Sequence, residues 1–252
     1  MSDGGGFAAR QVSFHENADE KRFHNRLANV FIAAKERRLM GMFTARLSGA
    51  ARPRILEIGC GEGSNLRYLA EAAPGAALFG IDFSLNKTRF LRSVLPGAGL
   101  ACADSLALPF KEGSFDAALI RDLLHHVNWA RDEVIEEALR VVKPGGVAII
   151  FESHGRTALN RIFQIVNPAE AGMMDSTPIT IRALGQKRAQ SEFEFVEASF
   201  LLRAAAYFLG WPSGPARYLA LAVYYAIWSW EAVWERLAPE SMWVYMMLAL
   251  RK

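Results

Sequence analysis

Three glycines alternate with other residues in ILEIGCGEGSNLRYLA, the stretch from Ile55 to Ala70. The stretch begins with a run typical of a buried strand and ends with the apolar spacing of an amphipathic helix. Gly59, Gly61 and Gly63 can take positive φ, and they leave no Cβ to keep a ligand away from the backbone. The helix that follows offers free N–H groups to an anion. The pattern therefore predicts a ligand-binding turn between a strand and a helix.

Acidic residues come at or just after the ends of the next strand-like runs, at Asp82, Asp104 and Asp122. Because ligands of open α/β sheets bind at the carboxyl ends of the strands, we expect these acids to face the same crevice as the glycine turn. Asp82 stands nineteen positions after the last glycine, where dinucleotide-binding sites carry an acid for the ribose. The glycine spacing is nevertheless ExGxGxG and not GxGxxG, since Ser64 is the sixth residue counted from Gly59. This spacing disfavours a nicotinamide site.

Side chains that could move a proton follow the fourth and fifth predicted strands. They are Asp122, His125, His126 and His154. Histidine titrates near neutrality and can act as a general base, so we predict His125, His126 and His154 as catalytic residues. Asp122, His125 and His126 could together ligate a transition metal, although such a set suits Mg²⁺ poorly.

Short strand-like runs alternate with helical patterns from Arg54 to Glu152. Strict alternation predicts parallel strands joined by right-handed crossovers, with helices on both faces of the sheet. Two further strands, FEFVEASFLL and MWVYMMLALR, follow a helical stretch and could pair antiparallel. The expected fold is α/β: a doubly wound, mainly parallel, seven-stranded Rossmann-like sheet with an antiparallel last strand, an N-terminal helical lid and a helical insertion.

A single domain is expected for a chain of 252 residues of which 52% are hydrophobic and 22% charged. Residues 1–50 are predicted as a helical arm or lid, 54–152 as the ligand-binding core, and 153–252 as substrate-side helices with the last two strands. In the arm, apolar residues recur at spacings of three and four, which predicts one helix before the first strand.

Basic residues concentrate in the arm, with ten basic and four acidic residues from Arg10 to Arg54, whereas the whole chain has a net charge of +3. A basic helix face is either simply solvated or attracts anionic lipid. The chain has no zinc-finger spacing or aromatic RNA-binding signature, so nucleic acid is not an expected partner. Cys60 and Cys102 fall in segments predicted to be a buried strand or a strand end, and they suggest no disulfide framework. Without an apolar targeting run at the N-terminus, a cytoplasmic location is expected.

Five segments resemble the class I S-adenosylmethionine-dependent methyltransferases of the small-molecule type, and they have that family's order and spacing. They are LEIGCGEG, GIDFS, ADSLALPFKEGSFDAAL, LLHHV and RVVKPGG, and they lie between Arg54 and Glu152. The resemblance implies methyl transfer from S-adenosylmethionine to a small acceptor. It also implies that the three glycines line the amino-acid end of the cofactor and that Glu57 supports their loop.

The other cofactor contacts that the resemblance implies fall at the strand ends. Asp82 would accept hydrogen bonds from both ribose hydroxyls, and Asp104 would meet the adenine amino group. Arg121 would lie near the methionine part. The side chains around the adenine ring would be Phe83, Ser105 and Leu106.

Two other functions stay open at this point. The fold could bind a ligand or a partner without catalysis. Some quinone-pathway O-methyltransferases, which this segment also resembles, hold a divalent cation with two carboxylates and a histidine at the positions of Asp122, His125 and His126. Here a histidine stands in place of one carboxylate. A metal-assisted O-methyltransferase is therefore an alternative.

The segment YLALAVYYAIWSW, from Tyr218 to Trp230, has no charged residue in thirteen positions. It is shorter than the about 20 apolar residues that a membrane-spanning helix needs. The composition fits either a core helix packed on the sheet or an exposed apolar face over a pocket for a hydrophobic or lipid-like acceptor. The second interpretation predicts homodimerisation or peripheral attachment to an anionic membrane surface.

Overall fold

A computed structural model describes residues 16–17, 19–47, 49–166, 168–197 and 201–252 of the chain. Most of the first part of the predicted arm lies outside the described residues, as do residues 198–200 of the strand predicted at 193–202. The prediction of strand at Leu201 and Leu202 is wrong, because these two residues begin a helix. The helices are α1 (Glu20–Ala28), α2 (Val30–Thr44), α3 (Ser64–Ala72), α4 (Leu85–Val94), α5 (Arg131–Val141), α6 (Ala158–Val166), α7 (Pro178–Gln186), α8 (Leu201–Leu209) and α9 (Ala216–Trp234). The strands are β1 (Arg54–Ile58), β2 (Ala77–Asp82), β3 (Gly99–Cys102), β4 (Phe115–Arg121), β5 (Val142–Ser153), β6 (Ser191–Glu197) and β7 (Tyr245–Arg251). Short 3₁₀ segments lie at Pro168–Asp175 and Glu240–Met242.

The seven strands form one sheet in the order β3-β2-β1-β4-β5-β7-β6. Strands β1 to β5 pair in parallel, and β7 is antiparallel to both of its neighbours, β5 and β6. The predicted doubly wound sheet with an antiparallel last strand is confirmed. Because helices cover both faces, the central strands are buried on both sides, which explains why their sequences are nearly continuous apolar runs.

Each face of the sheet carries its own hydrophobic core. On one face, side chains of α2 and α3 pack on the strands, with Leu39, Phe43 and Leu66 fully buried. On the other face, α5 and α7 supply apolar side chains such as Ile135 and Leu184. The apolar faces of these helices therefore pack on the two opposite faces of one sheet, as a doubly wound fold requires.

The described part of the arm contains two helices, so the prediction of a single helix is wrong. The chain is extended at Asn29, with φ −73° and ψ 115°, and the Asn29 Oδ1 atom accepts hydrogen bonds from the backbone N–H groups of Phe31 and Ile32 at 3.1 and 3.0 Å. Asparagine in this conformation is a favoured N-cap, because it satisfies N–H groups that have no partner within the helix. The Asn29 Nδ2 atom also donates to the backbone oxygen of Ala206, 2.8 Å away in α8.

Helix α9 lies against α2, not on the sheet. Val30 and Phe31 of α2 form a third hydrophobic cluster with Leu202, Ala220 and Tyr224. The opposite side of α9 is exposed, so this part of the structure shows an exposed apolar face and not the core helix that the sequence also allowed. Among the described residues, no helix has both the length and the apolar character needed to cross a bilayer.

The two cysteines differ in environment, and both are free. Cys60 is buried in the glycine turn, as predicted. Cys102 is exposed, at a strand end, which the sequence also allowed. The reason for its exposure is its place at the end of β3, which is the edge strand of the sheet and lacks a neighbour on one side.

Replacing Asn29 with alanine tests the N-cap between the two arm helices. The substitution removes two hydrogen bonds to α2 and one to α8, and we expect the free energy of unfolding to fall by about 1–2 kcal/mol. Urea denaturation followed by circular dichroism measures this change. Asn86→Ala, at an exposed position of α4, is the matched control and should change stability by less than about 0.5 kcal/mol. Equal effects of the two substitutions would contradict the N-cap assignment.

Candidate active site

A cavity of about 920 Å³ opens at the carboxyl ends of the parallel strands. Its volume is near the upper end of the range for small-molecule sites. One wall comes from the strand ends of the core, and the facing wall comes from α2, α8, α9 and the loop that joins α8 to α9. The first wall includes Gly59, Asp82, Asp104 and Asp122, and the second includes Phe31, Lys35, Trp211 and Tyr224. The sequence-predicted ligand-binding turn therefore faces an apolar helical cover.

The glycine turn has positive φ at all three glycines: 76° at Gly59, 52° at Gly61 and 80° at Gly63. Gly59 and Gly61 line the cavity. Gly63 lies behind the wall as the left-handed N-cap of α3, and a Cβ added there would come within 2.1 Å of Leu91 Cδ1. Gly63 is therefore required for the close contact between the turn and α4, in addition to its unusual backbone conformation.

Asp82 connects the glycine turn to the end of β2. One carboxylate oxygen accepts a hydrogen bond from the backbone N–H of Gly61 at 2.8 Å, and the other accepts from that of Ser84 at 2.9 Å. The side chain is buried at the cavity wall, and this burial raises its pKa. A carboxylate has about four acceptor positions, so two remain for a ligand. Asp82 can thus fix the turn and bind hydroxyl groups at the same time.

The residues predicted to surround an adenine ring lie together on the cavity wall beyond Asp82. They are Phe83, Asp104, Ser105 and Leu106. Phe83 and Leu106 both expose a large part of their apolar side chains. The Oδ1 atom of Asp104 accepts a hydrogen bond from the backbone N–H of Leu106 at 2.9 Å, which orients the carboxylate. The arrangement offers apolar surface beside a polar acceptor, which is what a purine ring with an amino group needs.

Arg121, at the end of β4, is the centre of a buried polar network. Its guanidinium donates to both carboxylate oxygens of Glu36 in α2, to Asn65 Oδ1 at 2.6 Å and to the hydroxyl of Tyr245 at 3.0 Å. Asn65 in turn donates to Glu57 Oε1 at 2.5 Å. Burial alone would lower the pKa of Arg121, but the charge of Glu36 outweighs it and raises the pKa well above its usual value. Arg121 is therefore charged at every physiological pH.

This network gives Glu57 and Arg121 partners that the sequence did not indicate. Glu57 is fully buried and reaches the glycine-turn helix through Asn65, which fits a supporting position for the loop. Arg121 lines the cavity, but its three nitrogens already contact protein groups. Glu36 carries no sequence signal, since it sits in the charged run KERR and resembles an exposed position.

Asp122 follows Arg121 and has a φ of 48°. Among the described residues other than glycine, it alone has a positive φ. Its side chain is partly exposed to the cavity. The Oδ2 atom accepts a hydrogen bond from Tyr245 at 2.9 Å, and the Oδ1 atom accepts one from Ser153 at 3.3 Å. Backbone strain of this kind is found at functional sites, where the surrounding structure holds it. Asp122 presents an oriented carboxylate to the cavity.

His125 lies between two carboxylates. Its Nδ1 atom is 2.8 Å from Glu152 Oε2, and its Nε2 atom is 3.0 Å from Glu170 Oε2. Burial alone would lower the pKa of His125, but the two carboxylates outweigh it and raise the pKa to about 10. Both ring nitrogens therefore carry protons at neutral pH. This arrangement argues against the predicted role of His125 as a general base and makes it a bridge between β5 and the 3₁₀ segment.

The other two predicted histidines differ in their relation to the cavity. His126 lines the wall, with its ring centroid 4.0 Å from that of His125. His154 lies off the wall, and its Nδ1 atom is 2.9 Å from the backbone oxygen of Trp243. Burial lowers the pKa of His154. Its position gives His154 no contact with a ligand in the cavity, whereas His126 stays a candidate for proton transfer.

Two groups among the described residues have ligand atoms within 4.8 Å of one another and could hold a metal ion. They are His125, His126 and Glu170, and Asp122, His125 and Glu152. Both groups share His125, so a cation would have to displace a proton that two carboxylates hold. Neither group is the predicted set of Asp122, His125 and His126. The donor atoms therefore fit a resident metal poorly.

Residues 56–150 match a family model described as a methyltransferase domain. The demethylmenaquinone methyltransferase of Renibacterium salmoninarum is 33% identical over 131 residues, which are 50% of this chain and 54% of that protein. The fatty-acid O-methyltransferase of Mycolicibacterium smegmatis is 32% identical over 115 residues, 45% of this chain and 42% of that protein. The chain thus spans about half the length of the curated relatives it matches.

Among solved structures, the plantazolicin methyltransferase in complex with a pentazolic substrate analog and S-adenosylhomocysteine has a similar fold. The TM-score is 0.60 at 18% identity, and the match covers 99% of this chain and 97% of that one. At this identity the likeness concerns the fold alone. It extends over the arm and the helical insertion as well as the sheet.

Replacing His125 with glutamine tests its protonated state. Because its folded pKa of about 10 is above the ordinary histidine pKa of 6.5, the stability that His125 contributes is complete below pH 6.5 and is lost as the pH rises towards 10. We expect His125→Gln to lose about 3 kcal/mol of unfolding free energy at the acidic end of this range. The difference in unfolding free energy between wild type and His125→Gln should become smaller as the pH approaches 10. Urea denaturation at several pH values measures it.

His24→Gln is the matched control, because His24 is exposed on α1. Its substitution should change stability by less than about 0.5 kcal/mol at any pH. A deficit of His125→Gln that stays constant or grows with rising pH would contradict the protonated bridge.

Proposed function

We propose that this chain is a class I S-adenosylmethionine-dependent methyltransferase and that it methylates a small, largely apolar acceptor. The match of residues 56–150 to a methyltransferase domain and the seven-stranded fold support the proposal. The observation that carries the proposal is the single cavity with two different walls. The strand-end wall has the polar groups that the cofactor needs, and the helical wall is mostly apolar. Cofactor and acceptor would therefore share one cavity.

The family's methyl donor, S-adenosylmethionine, supplies an electrophilic methyl group on a sulfonium. In this proposal, Gly59 and Gly61 approach its amino-acid end, Asp82 accepts hydrogen bonds from the ribose hydroxyls, and Asp104 accepts from the adenine amino group. The two free acceptor positions on Asp82 and the exposed apolar surface of Phe83 support this placement. Glu57 from behind the wall and Arg121 from within it hold the turn and its helix.

The acceptor would lie against the helical wall. The apolar part of this wall is formed by Phe31, Ile32, Leu202, Trp211 and Tyr224, and Phe163 of α6 adds to the apolar lining of the cavity. Apolar surface of this kind favours a hydrophobic molecule, since burial releases about 25 cal/mol per Å² of apolar area. The names of the similar enzymes, which refer to demethylmenaquinone and a fatty acid, support a lipid-like acceptor.

Asp122 is the group best placed to take the acceptor's proton. Its carboxylate faces the cavity and is held by Tyr245 and Ser153. As the acceptor atom attacks the methyl carbon, the carbon–sulfur bond breaks, the sulfonium becomes the thioether of S-adenosylhomocysteine, and the acceptor's proton passes to Asp122. His126 on the same wall is the next candidate for this role.

Two other functions make different predictions. A noncatalytic binding protein would bind the cofactor but transfer no methyl group. A metal-assisted O-methyltransferase would lose activity on chelation and regain it with a divalent cation. The shared use of His125 by both candidate metal groups favours the metal-independent reaction.

Titration calorimetry with S-adenosylmethionine tests the cofactor site. We expect binding in the micromolar range, and Asp82→Asn should weaken it at least about tenfold, because it removes a charged acceptor that contributes about 1.5–3 kcal/mol. Asp132→Asn, on α5 at an exposed ion pair, is the matched control and should bind like the wild type. No binding of the cofactor or of S-adenosylhomocysteine to the folded wild-type protein would refute the proposal.

Isotopically labelled cofactor identifies the acceptor class. After incubation with metabolite and lipid extracts, mass spectrometry should find the label in a small apolar molecule. Asp122→Asn should then slow transfer by at least about 100-fold while cofactor binding persists, because a general base is lost but asparagine tolerates positive φ. Asp175→Asn, at an exposed position, is the control. Label found only in RNA, DNA or protein would contradict the acceptor class.

A further inference from the structure

Helix α9 carries apolar side chains on both of its faces. The inner face packs on α2 through Ala220 and Tyr224. The outer face exposes Tyr218 by 79%, Leu219 by 69% and Trp230 by 66%, and further along it exposes Tyr225, Val233, Trp234 and Leu237. The preceding helix, α8, adds exposed Phe208 and Leu209. A contiguous apolar surface rich in tryptophan and tyrosine marks a binding face.

We define the outer face as the exposed side chains from α8 to Leu237. The exposed charges described on it are positive. Among its described residues, the exposed charged side chains are Arg217 at the start of α9 and Arg236 just after its end. Of the acids in the same stretch, Glu231 is buried and Glu235 is half-buried. Aromatic side chains flanked by arginines are the pattern of a helix that lies in the interface of an anionic bilayer.

A second copy of the chain fits this face less well. In a two-fold contact between antiparallel α9 helices, the start of one helix lies beside the end of the other. Arg217 would then approach Arg236 of the second molecule, and the outer face has no exposed acid to offset the repulsion. Lipid phosphates offer the opposite charge at both ends of the helix.

The cavity opens close to the outer face. Trp211, in the loop between α8 and α9, lines the cavity and is also half exposed. Phe163 of α6 likewise lines the cavity and is exposed. The two aromatic side chains therefore form apolar surface that runs from the outside of the molecule into the acceptor side of the cavity.

We propose that the outer face of α8 and α9 docks on an anionic lipid bilayer, with α9 lying in the interface and the cavity mouth turned to the membrane. The docking itself follows from the apolar face and its two arginines. The added consequence, that the acceptor enters from the bilayer past Trp211, rests on the proposed function. In this proposal α9 lies in the interface, so the attachment is peripheral.

Vesicle flotation of the full chain without cofactor tests the docking. The protein should float with vesicles of phosphatidylcholine mixed with phosphatidylglycerol, and it should float less with pure phosphatidylcholine or at high salt. Trp230→Glu should weaken binding at least about tenfold, because it removes an aromatic anchor. Replacing both Arg217 and Arg236 with glutamine should cost about fivefold for each arginine and reduce the salt dependence.

Ile179→Glu is the matched control, because Ile179 is a highly exposed apolar residue on a different helix, α7. It should float like the wild type, and all variants should keep wild-type circular dichroism. Wild-type protein that does not float with anionic vesicles would overturn the proposal. Light scattering would then distinguish an isolated monomer from a dimer that uses this face, because Trp230→Glu would dissociate such a dimer. Because flotation uses no cofactor, failure of docking is distinguishable from failure of methyl transfer.

Discussion

The buried ion pair between Arg121 and Glu36 is the interaction on which the arrangement of the site depends. It joins the end of β4, in the centre of the sheet, to α2, which covers the cavity. Charges removed from water are costly unless their geometry and hydrogen bonds compensate, and removal of one partner leaves a buried charge that costs about 3–5 kcal/mol. The guanidinium satisfies this condition, because it is also bonded to Asn65 and Tyr245. Such a pair fixes where α2 can sit over the sheet.

The same guanidinium couples the two sides of the proposed reaction. Through Asn65 it reaches the helix that follows the glycine turn, and through Tyr245 it reaches the carboxylate of Asp122. The positive φ of Asp122 is held by these contacts and by Ser153. The position of the covering helix, the glycine turn and the candidate base are therefore set by one set of hydrogen bonds. In our account, this is how the arm and the core form a single site.

Much of the fold follows from local sequence patterns. The apolar runs, the three alternating glycines and the acids at strand ends predict the sheet and the ligand-binding edge, because strand, turn and cap signals act over a few residues. The antiparallel last strand was also predicted, and it pairs with β5 and β6. The boundary between the two arm helices at Asn29 could not be predicted, because the apolar residues keep helical spacing on both sides of it. The N-cap depends on the hydrogen bonds of the Asn29 side chain.

The inner polar contacts could not be predicted from the sequence. Glu36, Asn65 and Tyr245 lie on three elements far apart in the chain, and each looks ordinary in its own segment. The sequence predicts His125 as a general base because it gives no sign of Glu152 and Glu170 on either side of the ring. Long-range electrostatic partners decide these roles, and only the three-dimensional arrangement reveals them.

A crystal structure of the chain with S-adenosylhomocysteine tests the central claim most directly. We predict the ribose hydroxyls at Asp82, the adenine between Phe83 and Leu106, and the sulfur directed into the cavity towards Asp122, with the Arg121–Glu36 pair intact. A ligand bound elsewhere, or one that separates Arg121 from Glu36, would contradict it.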